Sequence, residues 1–143
     1  MNDQLSEIAK LFDDWNAAIQ TGDPDHVVSL YSFNGILIPT LSNDVRSSHA
    51  EIKAYFVDFL KKKPRAVLNE SYIRAYGDAG INSGIYSFFF GSEANPTQAR
   101  YTYVYEWHGD RWLIVEHHSS LLYKEHKQFR QGLAIDNFLI NID

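Results

Sequence analysis

The stretch from Ala99 to Leu122, ARYTYVYEWHGDRWLIVEHHSSLL, constrains the chain most. Two alternating runs flank a Gly-Asp pair, the pattern of a long β-hairpin. With Gly109 and Asp110 in the turn, His108 lies opposite Arg111, Trp107 opposite Trp112, and the same register carries Arg100 opposite Ser119. One face then holds Tyr101, Tyr103, Tyr105 and Trp107 beside Trp112, Ile114, Glu116 and His118. The other holds Arg100, Thr102, Val104 and Glu106 beside Leu113, Val115, His117 and Ser119. Both faces are too apolar to meet water, and helices of one small domain usually cover only one of them. A partner subunit is expected on the aromatic face, where Tyr103, Tyr105, Trp107 and Trp112 would otherwise be exposed, giving a homodimer or a larger ring. The second face turns polar away from the hairpin tip, which reads as a core opening into a pocket.

The rest of the chain supplies the cover. Leu5, Ile8, Leu11, Phe12, Trp15 and Ile19 recur at helical spacing from Asp3 to the stop at Thr21-Gly22. Asp23-Pro24 caps a short second helix through Val27, Val28, Leu30 and Tyr31. Ile36, Leu37 and Ile38 form a strand stopped by Pro39, and a polar loop from Leu41 to Ser47 carries Arg46. Ser48 and Glu51 make a capping box for a third helix through Ile52, Tyr55, Phe56, Phe59 and Leu60; Lys61, Lys62 and Lys63 suit its negative end before Pro64. The period then becomes alternating, with strands from Val67 to Tyr76 and Ile81 to Phe90 around a Gly77–Gly80 turn. This is an α+β plan with its helices on one sheet face.

Composition narrows the function classes. A chain of 143 residues is one domain, and nine Tyr, nine Phe and three Trp favour large buried surfaces and a lined cavity. The absence of cysteine excludes disulfides, thiol catalysis and cysteine metal sites. With no secretory signal, no membrane-spanning run and a net charge of −5, a cytoplasmic protein with neither a nucleic-acid nor a membrane partner is expected. Residues 1–122 read as the domain and 123–143 as an extension whose Leu133, Ile135, Phe138, Leu139 and Ile140 predict docking somewhere on the fold.

The candidate site residues follow from cost. Arg46, Arg74 and Arg100 sit in or beside apolar segments, where an idle guanidinium is expensive. Arg100, with Ser119 opposite and His117 on the diagonal, could hold a bidentate anion; Thr102 shares its face, and Arg74 alternates with Tyr72 and Glu70. His117 and His118 are adjacent on a strand and must point to opposite faces, so they cannot share a metal. No metal spacing is present, and neither metal nor cofactor is expected. If the chain is an enzyme, its base is His117, held neutral by a neighbouring guanidinium; one residue more or fewer in the turn would put His118 there instead.

In this order of elements, and in Trp15 with Asn16-Ala17-Ala18-Ile19 and Gly22-Asp23, Leu37-Ile38-Pro39-Thr40 with Val45-Arg46, and Arg111-Trp112-Leu113-Ile114-Val115 running into His117-His118-Ser119-Ser120, the chain resembles a known family. It is similar to the nuclear transport factor 2-like (SnoaL-like) superfamily, and within it to the association (hub) domain of calcium/calmodulin-dependent protein kinase II and its free-standing bacterial relatives. The resemblance implies a cone of curved, mostly antiparallel sheet wrapped around a long N-terminal helix, dimers that assemble into rings, and an arginine-lined cavity for a small carboxylate or other anion, and the claim of the loop residue Arg46 to that cavity rests mainly on this likeness. It also implies a rival, since ketosteroid isomerase, scytalone dehydratase and polyketide cyclases share the plan: a cofactor-independent isomerase, dehydratase or cyclase using a pocket histidine. The strand acids Glu70, Glu106 and Glu116 are not aimed at the expected pocket, which favours a binding module.

Overall fold

The computed structural model describes residues 2–123. Helix α1 (Asn2–Gln20) is followed by α2 (Pro24–Val28), β1 (Tyr31–Ile38), α3 (His49–Phe59) with a 3-10 turn over Leu60–Lys62, then β2 (Pro64–Tyr76), β3 (Ala79–Phe90), β4 (Thr97–Trp107) and β5 (Trp112–Leu121). The strands form one sheet in the order β1-β5-β4-β3-β2, parallel between β1 and β5 and antiparallel elsewhere. The expected docking of the extension concerns residues 124–143, outside those described.

The local signals act as the residue chemistry dictates. Asp23 caps α2 by accepting from the Asp25 N–H at 2.9 Å, with Pro24 at the first helical position. Ser48 accepts from the Glu51 N–H at 3.2 Å, while the Glu51 carboxylate reaches one residue further back than a capping box requires, to the Ser47 N–H at 2.8 Å. Strand β2 begins at Pro64, ahead of the expected Val67, and two further boundaries differ from expectation for a visible reason. Tyr31 opens β1 instead of ending α2, because the Leu30 carbonyl accepts from the Ile114 N–H at 2.9 Å and draws the chain into parallel pairing with β5. The β2–β3 turn is two residues long, with Tyr76 paired to Ala79 around a left-handed Gly77.

The helices cover a single face of the sheet. Ile8, Phe12, Trp15 and Ile19 of α1 are buried together with Tyr86, Tyr101, Tyr103 and Tyr105. Asn16 fastens α1 to β2, its side chain exchanging two hydrogen bonds with the backbone of Ala66 at 2.8 and 2.9 Å. The expectation that Tyr103 and Tyr105 are exposed on a lone subunit is therefore wrong. A sheet wrapped around its own helix buries them within one chain. The uncovered face is the opposite one, where Ile81, Ile85, Val104 and Leu113 are partly exposed.

Two β-bulges between antiparallel strands bend the sheet, and β1 carries a further register shift against β5 between Tyr31 and Ile36. In β2, Leu68 pairs with Tyr86 and Glu70 with Ile85, leaving Asn69 extra; its side-chain oxygen accepts from Ser87 Oγ at 2.8 Å. Gly84 lies beside this bend, where a Cβ would fall 2.1 Å from the Glu70 carbonyl oxygen, so only glycine admits the close approach. In β5, Ile114 pairs with Tyr105 and Glu116 with Val104, leaving Val115 extra.

Candidate functional site

The Val115 bulge decides which histidine is inside. The hairpin tip has the expected geometry, with Trp107 opposite Trp112 and the His108 N–H donating to the Arg111 carbonyl at 2.9 Å. Beyond the bulge the parity inverts, so that Tyr103 pairs with His117, Tyr101 with Ser119 and Arg100 with Ser120. His117 and Ser119 therefore join the buried tyrosine face, and His118 joins Arg100 on the outer one. The expected pairing of Arg100 with Ser119 is corrected by this one residue.

His117 is held from every side. Leu37 of β1 is its parallel neighbour, and the Tyr103 ring stacks on the imidazole with centroids 4.0 Å apart and planes 19° from parallel. The Trp15 ring meets it edge-on at 5.4 Å. Its Nδ1 lies 2.8 Å from the Tyr31 hydroxyl and its Nε2 3.2 Å from that of Tyr86. The Trp15 indole N–H donates to Tyr31 at 3.1 Å, and Tyr86 donates to Ser119 Oγ at 2.7 Å, which is in turn bonded to Thr40 Oγ1.

These donors set the direction of the whole chain. Indole is a donor only, so Tyr31 accepts from Trp15 and gives its own proton to His117 Nδ1. Tyr86 has given its proton to Ser119, so it accepts from His117 Nε2–H. With Tyr86 donating to Ser119, the consistent arrangement is a neutral Nε2–H imidazole, and the bonds run one way from Trp15 through Tyr31, His117 and Tyr86 to Ser119, which is bonded to Thr40. Burial, reinforced by neighbouring His118, lowers His117 to about 3, so the imidazole stays neutral at physiological pH. Arg100, the expected cause of a neutral imidazole, is on the other side of the sheet. Burial also raises the Tyr86 and Tyr31 hydroxyls, keeping both protonated.

The network ends in a cleft lined by Trp15, Leu37, Pro39, Leu41, Tyr55, Phe56, Phe59, Phe88, Phe90 and Ala99, with Thr40, Tyr86, His117 and Ser119 as its polar groups. Its atom-free space is about 470 Å³ with the mouth included, of which about 30 Å³ admits the centre of a water molecule. By the room one water needs, that interior holds about two. A wider depression, with about 760 Å³ of atom-free space, shares Leu41, Tyr55 and Phe59 with the cleft and adds Arg46, Asp58 and Lys62.

None of the three candidate arginines lines the cleft. Arg46 is at its mouth, with the guanidinium 5.5 Å above the Tyr55 ring and one N–H on Ser42 Oγ at 3.2 Å. Burial raises the Tyr55 hydroxyl to about 12, against the pull of Arg46. Lys62 stands over Phe90 at 5.6 Å, and among the described residues neither cation is within ion-pair distance of a carboxylate. Arg74, Arg100, Tyr72, Thr102 and His118 are on the outer face, with Arg74 beside Ile81 and Arg100 beside Ile85. Glu70, Glu106 and Glu116 are exposed, and no carboxylate lines the cleft. Among the described residues no group of three His, Asp or Glu is placed to hold a metal, and no helix is long and apolar enough to cross a membrane.

Sequence reasoning missed Trp15, Tyr31, Thr40 and Tyr86 as members of the site. Tyr86 had a signal, because Tyr86, Phe88 and Phe90 alternate on β3 as an inward face. Tyr31 had none, since its place depends on the parallel pairing of β1 with β5.

Comparison with known proteins places the chain. The family model described as calcium/calmodulin dependent protein kinase II association domain matches residues 4–122. A solved candidate association domain from Xanthomonas campestris is 44% identical, with a TM-score of 0.79 over 83% of this chain and 88% of that one. Another from Thiobacillus denitrificans is 20% identical, with a TM-score of 0.69 over 79% of this chain and 93% of that one. A candidate dehydratase of the NTF2-like family from Streptomyces avermitilis is 13% identical, with a TM-score of 0.77 over 87% and 100% of the two chains. The last two likenesses speak to the fold alone. No curated protein matches the sequence.

Proposed function

The chain belongs to the calcium/calmodulin dependent protein kinase II association domain family, and on that premise we propose that it is a self-assembling module whose aromatic cleft takes a small carboxylate. Self-association is what the family name supports, and the uncovered sheet face with Ile81, Ile85, Val104 and Leu113 is the surface available to a second copy. Light scattering tests it: a dimer or larger ring is expected, and a particle of monomer mass at tens of micromolar would remove the idea.

The observation that carries the ligand reading is Arg46 at the mouth of an otherwise apolar cleft, without a carboxylate partner among the described residues. The ligand's apolar part packs among Tyr55, Phe59 and Phe90, and its carboxylate meets Arg46 and Lys62. Thr40 and Ser119 offer hydroxyls to a second polar atom, and His117 acts through Tyr86. A charge-assisted contact contributes about 1.5–3 kcal/mol, so Arg46→Ala should weaken benzoate binding roughly ten- to a hundredfold. Calorimetry with benzoate on both proteins decides it, and equal affinities would end the carboxylate reading.

The rival enzyme reading has one observation in its favour, the neutral His117 linked to a cleft hydroxyl. Both imidazole nitrogens are already bonded, and the cleft has no carboxylate to share a proton. Turnover of an isomerase or dehydratase substrate that His117→Ala abolishes would bring that reading forward.

A further inference from the structure

The hydrogen bonds around His117 can be counted as well as traced. Trp15, Tyr31, His117, Tyr86, Ser119 and Thr40 each have one proton to donate, because an indole and a neutral imidazole carry one N–H and a hydroxyl one O–H. Five contacts join these six groups in a single line, from Trp15 to Tyr31, His117, Tyr86, Ser119 and Thr40. Every bond consumes one proton. One is therefore left over, whichever way the individual bonds run.

The indole decides where that spare proton goes. Trp15 can only give, so the line is driven away from α1, and with Tyr86 donating to Ser119 the spare O–H is on Ser119 or Thr40. Both hydroxyls line the cleft, and among the described residues neither has a further hydrogen-bond partner to receive it. Leu37, Phe88 and Ala99 of the same lining offer no side-chain acceptor. A donor held in such a place without an acceptor carries its full desolvation penalty.

The geometry points to a cleft whose inner end selects a neutral hydrogen-bond acceptor, so that its ligand is an oxo acid: a carbonyl oxygen takes the spare O–H of Ser119 or Thr40, and the carboxylate stays at the mouth with Arg46 and Lys62. A carboxylate is disfavoured at the inner end because no cation lines the cleft to offset its desolvation. An N–H group there would bring a second donor and leave the spare O–H unmet. The interior has room for about two waters, enough for an acetyl or formyl group. The carboxylate half rests on the reading of the cleft as a carboxylate pocket; the carbonyl half rests on the proton count.

Two measurements on the full chain test it. Nitrogen-15 NMR of the imidazole, assigned by its loss in His117→Gln, should show the Nε2–H tautomer. An Nδ1–H tautomer would put the spare proton on Tyr31 and overturn the proposal. Calorimetry then compares 4-acetylbenzoate with 4-isopropylbenzoate, which has nearly the same shape and no acceptor at that end. The acetyl compound should bind at least about tenfold tighter, and equal or reversed affinities would overturn the proposal. Arg46→Ala should weaken both and keep their ratio; a ratio that vanishes with Arg46 would mean that the carbonyl meets the guanidinium, which also overturns it. Should neither benzoate bind, the carboxylate pocket falls and acetophenone against isopropylbenzene decides: a preference for acetophenone upholds the inner donor, and equal affinities or no binding by either overturn it.

Discussion

The two faces of the β4–β5 hairpin are made from alternate residues of the same strands, yet they do different work. Inward, Tyr101, Tyr103, Tyr105, His117 and Ser119 are buried under α1 and joined to its Trp15 through rings and hydrogen bonds. Outward, Arg100, Thr102, His118 and Ser120 meet solvent, in a sequence no less rich in chemistry. What separates them is one unpaired residue, Val115. A strict alternation would have put His117 beside Arg100; the bulge puts it beside Tyr103 and gives the cleft its polar end.

Removing the spacing between Ile114 and His117 should break the comparison outright. Deleting Val115 together with Glu116 makes Ile114 and His117 neighbours, and neighbours on a strand point to opposite faces, so either Ile114 or the His117–Ser119 pair must leave the interior. Deleting Val115 alone removes the bulge but keeps both inside, with Glu116 between them. The loss in the double deletion should reach about 5 kcal/mol or more, comparable with the whole stability of a domain this size. Chemical denaturation should show no cooperative transition for the double deletion and a cooperative one for the single deletion, and a native-like curve for the double deletion would contradict the role given to the bulge.

Acid probes the inner face more gently. The folded chain holds His117 neutral down to about pH 3, whereas the unfolded chain protonates it near 6.5. Its contribution is therefore complete above pH 6.5 and is lost as pH falls, because only the unfolded state takes up the proton between those values. The slope from this group is at most about 1.4 kcal/mol per pH unit. Denaturant titrations at pH 6, 5 and 4 should show that slope in the native protein and a shallower one in His117→Gln. Equal slopes would mean that the imidazole is not sealed from water.

These contrasts also explain how much was readable in advance. The helix caps, the element order and the Gly109-Asp110 turn are local, and each is set by residues within a few positions of one another. The association-domain family, too, could be recognised from short motifs that stay contiguous in the chain. The site was only half legible. Alternation reports which residues share a face until a bulge intervenes, and nothing in Ile114-Val115-Glu116 announces one, since all three suit a strand. The arginines misled for the same reason: Arg100 looked costly in an apolar run, but its side of the sheet is the one no helix of the described chain covers.

A finer contrast exists within the inner face. Tyr31 and Tyr86 are bonded to His117, whereas the equally buried Tyr103 and Tyr105 hydroxyls have no partner among the described residues. Tyr86→Phe should cost about 1–2 kcal/mol, because it leaves His117 Nε2–H and Ser119 short of a bond. Tyr103→Phe removes an unpaired group and keeps the ring stacked on His117, so it should be neutral or stabilising by up to about 1 kcal/mol. Thermal unfolding of the two variants ranks them, and an equal loss in both would show that the Tyr103 hydroxyl has a partner in solution.

The smallest expected effect is on the outer face, and it sharpens the comparison by what it leaves alone. Arg100 is exposed, flanked by Ile85 on β3 and Ser120 on β5, and in no ion pair among the described residues. Arg100→Ala should change the stability of the isolated subunit by no more than about 0.5 kcal/mol. It should also leave benzoate affinity untouched, since the guanidinium is across the sheet from the cleft and Arg46 is at its mouth. Self-association is the one property it should move, because a second copy seated on this face would meet Arg100 directly. Arg100→Glu reverses the charge there and should shift assembly toward smaller species in sedimentation at fixed salt. If instead Arg100→Ala weakens benzoate binding while assembly stays as it was, the two faces have been assigned the wrong way round.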